Sequence, residues 1–134
     1  MPAVKVEMLP IQSQYDLVDV RRAVRTRAAH IGMSILDQTK IVTAASELAR
    51  NALVYGGGGT VMLEELEDGM RICLRLTFED HGPGIPDVDK ALTDGFTTGG
   101  GLGLGLGGSK RLVHDFEISS VVSEGTRVRV TRWK

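Results

Sequence analysis

Residues 4–9 alternate as Val-Lys-Val-Glu-Met-Leu, the two-residue period of a strand, with Pro10 as the expected stop. The period then lengthens. Leu17, Val20, Val24, Ala28 and Ile31 recur at spacings of three and four, which predicts a helix over 14–30 with one apolar stripe. Ser13 with Asp16 makes a capping-box pattern at its start, and Gly32 is placed to end it. Arg21, Arg22, Arg25 and Arg27 lie largely off the stripe, as a solvated face or part of a partner-docking surface. Ser34 with Asp37 repeats the start signal. The helix that follows, over 35–55, buries Ile41, Ala44, Ala45, Leu48 and Ala52, and its many alanines suggest close packing against a sheet.

The second half of the chain returns to the strand period. Residues 60–66 read as a strand, Glu67-Asp68-Gly69 as a hairpin turn, and 70–79 as the partner strand. In that partner Ile72, Leu74, Leu76 and Phe78 alternate with Arg71, Cys73, Arg75 and Thr77. Between Gly82 and Gly101 the only regular signal is a turn of helix at 88–92, and a span this long in a small domain is usually functional. A third helix is expected over 102–116, with Leu104, Leu112 and Val113 as core candidates, then a hairpin of 117–123 and 126–133 about Glu124-Gly125. The order is β-α-α-β-β-lid-α-β-β. It predicts an α+β, two-layer α/β sandwich, a mostly antiparallel sheet with its helices on one face.

Composition narrows the function. The 134 residues suit a single domain, 1–134, with one core. Sixteen basic and 17 acidic residues leave a net charge of −1, so neither a nucleic-acid surface nor a polybasic membrane surface is expected. One cysteine, Cys73, permits no intrachain disulfide, and no signal peptide or membrane span is legible, so a cytoplasmic location is expected. The three histidines lack a metal-ligand spacing. Glycine is the outlier: 17 residues, with one cluster at 56–59 and another at 99–108. Such clusters mark tight bends or close approach of backbone.

Three stretches carry chemistry. Asp80-His81-Gly82-Pro83-Gly84 puts a carboxylate at the end of a strand beside two glycines. Gly99 to Gly105 is a glycine loop opening a helix, a place where backbone N–H groups meet phosphate. Glu47 and Asn51 lie one turn apart on the second helix, as a base and a magnesium ligand or as a solvated helix edge. Gly103-Leu104-Gly105-Leu106-Gly107-Gly108 satisfies a dinucleotide-binding pattern, but no strand precedes it. The Walker order fails at Gly108-Ser109-Lys110, and the chain lacks the length and catalytic loop of a eukaryotic-type kinase.

Taken together with Gly125-Thr126, these stretches resemble the GHKL ATPase superfamily of gyrase-type ATPases, heat-shock-90-type chaperones and histidine kinases. Ser46-Glu47-Leu48-Ala49-Arg50-Asn51, the 79–86 segment and the 94–106 segment most resemble the RsbT-type serine/threonine switch kinases of bacterial stressosomes, and Lys110-Arg111-Leu112 continues the likeness. The resemblance implies the Bergerat ATP-binding fold with a short ATP lid over 86–100. It implies ATP and Mg²⁺, with Asp80 accepting from the adenine amino group, Gly82 and Gly84 leaving room for the ring, and Thr126 supporting Asp80. It implies that Asn51 binds the metal, that Glu47 is the general base, and that Gly101, Leu102, Gly103, Leu104 and Gly105 wrap the phosphates. The implied substrates are STAS-domain scaffold and sensor proteins of a stressosome, with a downstream phosphatase activated afterwards. The alternative is a nucleotide-regulated anti-sigma factor that sequesters a sigma factor. Further alternatives are a pseudo-enzyme that only docks partners, and a histidine kinase's catalytic fragment.

Overall fold

The computed structural model describes residues 3–92 and 106–134. Strand β1 (Ala3–Ile11) leads into helices α1 (Gln14–His30) and α2 (Ile35–Val54). The hairpin β2 (Gly59–Asp68) and β3 (Arg71–Asp80) follows, then the short α3 (Val88–Ala91), α4 (Leu106–Arg111), and the hairpin β4 (Asp115–Val121) and β5 (Gly125–Trp133). The five strands form one sheet in the order β1-β2-β3-β5-β4, and all four pairings are antiparallel. Helices cover one face, giving the two-layer sandwich that the pattern predicts.

The start signals of the helices act as read, with one difference. Ser13 Oγ accepts from Asp16 N–H at 3.4 Å, and Asp16 Oδ2 accepts from Ser13 N–H at 3.2 Å, so the first box is complete. At α2 only half of it forms. Ser34 Oγ accepts from Asp37 N–H at 3.1 Å, while the Asp37 carboxylate turns to the Arg132 guanidinium at 2.6 Å. Arg132 is nearly buried and also donates to the Leu112 carbonyl at 2.9 Å. It therefore ties the end of the last strand to the start of α2 and to the turn after α4.

The core lies between sheet and helices. Val20, Val24 and Ala28 of α1 and Ile41, Ala45, Leu48 and Ala52 of α2 close onto Val61, Leu63, Leu74, Leu76, Phe78, Val128 and Val130 of the sheet. Each fully buried Val or Leu contributes roughly 1.5–3 kcal/mol relative to exposure. Arg21, Arg22 and Arg25 stay exposed, but Arg27 turns inward. It pairs with Glu7 at 2.7 Å and with Glu65 at 3.4 Å; Glu65 is only 1% exposed and also meets His30 Nδ1 at 2.9 Å. A carboxylate that deep is tolerable only with such partners.

Three boundaries depart from the sequence reading. Pro10 does not stop β1, which runs on to Ile11; β1 is an edge strand, where a missing N–H is tolerated. The hairpin closes as a two-residue turn, Gly69-Met70, with positive φ at Gly69 alone, as a type II′ turn requires. The third helix ends at Arg111 rather than near 116: Asp115 and Phe116 pair with Thr131 and Val130 in β4, and the alternation of Phe116, Ile118 and Ser120 outweighs the helical reading.

The Arg132 guanidinium beside Asp37 holds its carboxyl below its ordinary value of 3.8. A depressed folded-state value stabilises the fold above the ordinary value and loses that effect as the pH falls through the depressed one. Thermal melts of the wild type and Asp37→Asn should therefore differ at neutral pH, with the wild type melting higher. The gap should narrow below about pH 4 and vanish at lower pH. A gap that persists unchanged to pH 2 would assign the effect to something other than the charge.

Candidate functional site

One row of the sheet organises the site. Register places Gly59 of β2, Asp80 of β3, Thr126 of β5 and Ser120 of β4 side by side at the same end of the sheet. Asp80 is the last residue of its strand, so its carboxylate reaches past the sheet into a cleft. That cleft is concave and opens to solvent at its mouth, the form in which small-molecule sites occur. Leu48, Ala52, Phe78, Ile85, Leu106 and Val128 make it mainly apolar, and Asn51, Asp80 and Thr126 supply its polar groups. An apolar cleft with a few converging polar atoms is the usual make-up of a small-molecule site.

Asp80 is held rigidly. Gly82 N–H donates to Asp80 Oδ1 at 3.0 Å, and Thr126 N–H donates to the same oxygen at 3.3 Å. Both bonds fall on Oδ1, which leaves Oδ2 for a donor arriving from the cleft. The surrounding backbone is close. A Cβ at Gly56 would collide with the Asp80 side chain, and one at Gly125 would collide with the Asp80 carbonyl. Gly82 and Gly84 are crowded too, but by protein: Gly82 faces the Gly56 backbone, and Gly84 faces the Val121 carbonyl. Their smallness therefore serves first to fold the loop onto its neighbours.

Thr126 stands beside Asp80, and its hydroxyl lies 2.8 Å from Ser120 Oγ. Ser120 Oγ in turn accepts from Ile85 N–H at 2.7 Å, which fixes the loop after the Asp-x-Gly-x-Gly motif. Asn51 projects from α2 into the same cleft, and its Nδ2 is buried with no hydrogen-bond partner among the described residues. Such an orphaned buried amide is costly, and it fits a ligand that supplies the missing partner. Glu47 lies one turn earlier on α2, half buried, outside the cleft's lining and without an ion pair among the described residues. Arg50 is exposed, as is His81.

The structure thus gathers Asn51, Asp80, Gly84 and Thr126 about one cleft, with Gly82 bracing Asp80 and Glu47 at its margin. Gly101, Leu102, Gly103, Leu104 and Gly105, and the lid residues Phe96, Thr97 and Thr98, lie outside the described residues. Sequence reasoning missed Tyr55 and Gly56 in the lining and Ser120 behind it. Ser120 carried one usable signal, its place in the Phe116-Ile118-Ser120 alternation on the face of the sheet that bears Thr126. Among the described residues no three His, Cys, Asp or Glu side chains converge on a metal position, and no helix is long and apolar enough to cross a membrane.

Comparison with known proteins agrees with this geometry. Residues 36–134 match the family described as histidine kinase-, DNA gyrase B- and HSP90-like ATPase. The chain is 44% identical over 123 residues to the serine/threonine-protein kinase RsbT of Bacillus subtilis, covering 92% of each. It is 32% identical over 112 residues to an anti-sigma F factor of Bacillus licheniformis, covering 78% of this chain and 75% of that one. A crystal structure of the RsbU and RsbW domains of a Mycobacterium tuberculosis protein superimposes with a TM-score of 0.67 at 22% identity, which speaks to the fold. That match covers 98% of this chain and a third of the longer one, at 33%.

Gly56→Ala is the sharpest steric test of the cleft. Its methyl group displaces the Asp80 carboxylate, and loss of a hydrogen bond to a charged group should weaken adenine-nucleotide binding by about tenfold or more. Calorimetric titration would read this directly. An unchanged affinity would show that Asp80 does not face the ligand.

Proposed function

The chain belongs to the histidine kinase-, DNA gyrase B- and HSP90-like ATPase family, and we propose that it acts as a Mg²⁺- and ATP-dependent protein serine/threonine kinase of the RsbT type whose substrates are STAS-domain proteins. The observation that carries the adenine reading is the Asp80 carboxylate, with Oδ1 saturated by backbone donors at the back of an apolar slot. Oδ2 accepts from the exocyclic amino group of adenine. A base that presents an oxygen there leaves a buried acceptor unpaired, which discriminates strongly.

The remaining roles are distributed along α2 and the glycine loop. Asn51 offers its side-chain oxygen to a metal ion, and its orphaned amide fits that use once the flat carboxamide is turned. When bound, Mg²⁺ supplies charge neutralisation on the phosphate oxygens. Glu47, one turn away, takes the proton of the incoming Ser or Thr hydroxyl as that oxygen attacks the terminal phosphorus. Gly101, Gly103 and Gly105 cradle the phosphates with backbone N–H groups.

The protein-level reading is a partner switch. STAS-domain scaffold and sensor proteins of a stressosome are the phosphate acceptors, and a downstream phosphatase or regulator is the partner engaged afterwards. Both partners meet the protein in the cytoplasm. The likeness to anti-sigma F factors at about a third identity favours one second reading, a nucleotide-regulated anti-sigma factor. Co-purification with a sigma factor, without phosphate transfer to any STAS protein, would select it.

Transfer of labelled phosphate from ATP to a purified STAS-domain partner tests the first reading. Glu47→Ala should slow transfer by about 10²–10⁴-fold while ATP binding persists. Asn51→Ala should abolish the Mg²⁺-dependent part of transfer with the fold intact. Full activity in either variant would remove that residue's role.

A further inference from the structure

Arg27, Arg75, Arg127, Arg129 and Arg132 each pair with a carboxylate, and Arg71 lies over the Trp133 ring. Arg21 and Arg25 of α1 and Arg50 of α2 differ: all three are exposed, and none forms an ion pair among the described residues. The acids of these two helices are engaged or turned elsewhere. Asp16 closes the capping box of α1, and Asp19 lines a groove between α1 and β1. Asp37 is taken by Arg132, and Glu47 forms no pair with Arg50.

Helical spacing places these arginines around Glu47. Val18, Arg21 and Arg25 recur at three and four along α1, and Thr43, Glu47, Arg50 and Val54 recur at four, three and four along α2. The two helices pack side by side on one face of the sheet, joined by the short turn 31–34. Val20, Val24 and Ala28 turn to the core, while Asp19, Arg22 and Thr26 turn to the β1 side. Arg21 and Arg25 are left on the side toward α2.

Access to Glu47 is restricted by its own helix. Leu48 and Asn51 line the nucleotide cleft, and Ala45 and Ala49 face the core. A protein that brings a Ser or Thr hydroxyl to Glu47 therefore has to lie over the outer surface of α1 and α2. That surface offers two apolar side chains, Val18 and Val54, 42% and 55% exposed, among three guanidiniums. In a chain of net charge −1 this is a local excess of positive charge. Guanidiniums engage carboxylates through paired hydrogen bonds, and apolar side chains within a charged rim are the usual make-up of a protein-docking face.

We propose that this outer face docks the phosphate-accepting STAS-domain protein, whose matching surface is acidic and pairs with Arg21, Arg25 and Arg50 about Val18 and Val54. The inference rests on the kinase reading given above and adds where the substrate protein sits. Docked there, the partner presents its hydroxyl to Glu47 and leaves the nucleotide cleft untouched. The arginines thus act on capture of the acceptor and not on ATP binding.

Steady-state phosphate transfer from ATP to a purified STAS-domain partner tests this on the full chain. Reversing two charges together, Arg21→Glu with Arg25→Glu, should raise the acceptor's KM by about tenfold or more, with kcat and ATP affinity held. Added salt should raise the wild type's KM and move the double variant's far less. Arg22→Glu makes the same kind of change on the β1 side and should leave KM close to that of the wild type. If the double variant does not fold by circular dichroism, Arg21→Ala with Arg25→Ala carries the same expectation at about threefold or more. An unchanged KM in the folded variant would overturn the proposal, as would an equal rise in Arg22→Glu, which would mean a general field effect. A double variant that alters the sedimentation of the kinase alone and leaves KM unchanged would assign the face to a second copy, and would overturn the proposal too. A wild type that transfers no phosphate is a different failure, and would overturn the kinase reading itself.

Discussion

The structure depends on one charged group held at a fixed place by neutral backbone. Asp80 ends a strand in the middle of the sheet, and two N–H groups, from Gly82 and Thr126, meet on one of its oxygens. Oriented amide dipoles of this kind hold a carboxylate without neutralising it. A lysine or arginine in their place would satisfy the charge and remove its value as an acceptor. The arrangement demands that backbone come very close to Asp80 from several sides, and the glycines at 56 and 125 make this approach sterically possible. The fold then serves to bring four separated stretches of chain to this point. The end of α2, the turn after β3, the start of β5 and the edge strand β4 all converge there.

Charge elsewhere in the molecule is paired in ways that stiffen the same frame. Arg132 joins α2 to the turn after α4, and Arg27 joins α1 to β1 and β2 through Glu7 and Glu65. On the open face of the sheet, Arg75 pairs with Glu64 and Arg129 with Glu117 across neighbouring strands. An exposed cross-strand pair such as Arg129–Glu117 adds little energy, and its register value is greater. None of these arginines reaches the cleft lining, so the site's polarity comes from Asp80, Asn51, Thr126 and backbone.

Much of this was legible in the chain, for specific reasons. The stripes of α1 and α2 keep one period throughout, and their predicted residues are buried as read except Leu17, which is partly buried. The place of Asp80 at a strand end was legible from the alternation of β3, whereas the packing of Gly82 and Gly84 against neighbouring backbone was not. Pro10 misled because sequence alone does not reveal that its strand lies at the edge of the sheet. The end of the third helix misled because Lys110 to Phe116 suits helix and strand alike until pairing with β5 decides it. Ser120 carried only its place in the β4 alternation, because its contacts with Ile85 and Thr126 arise from pairing that no local pattern encodes. Arg27 was hidden likewise, since it lies on α1 and its inward partner Glu65 lies far along the chain in β2.

The central claim is that Asp80 is the adenine acceptor of a kinase of this family. Calorimetric titration of ATP into the wild type and Asp80→Asn tests it most directly. The amide keeps the shape and replaces a charged acceptor with a group that presents a donor, so ATP affinity should fall by about tenfold or more while the melting temperature stays close to that of the wild type. Equal affinity in the two proteins would contradict the account, because the oxygen around which the site is built would then not be reading the base.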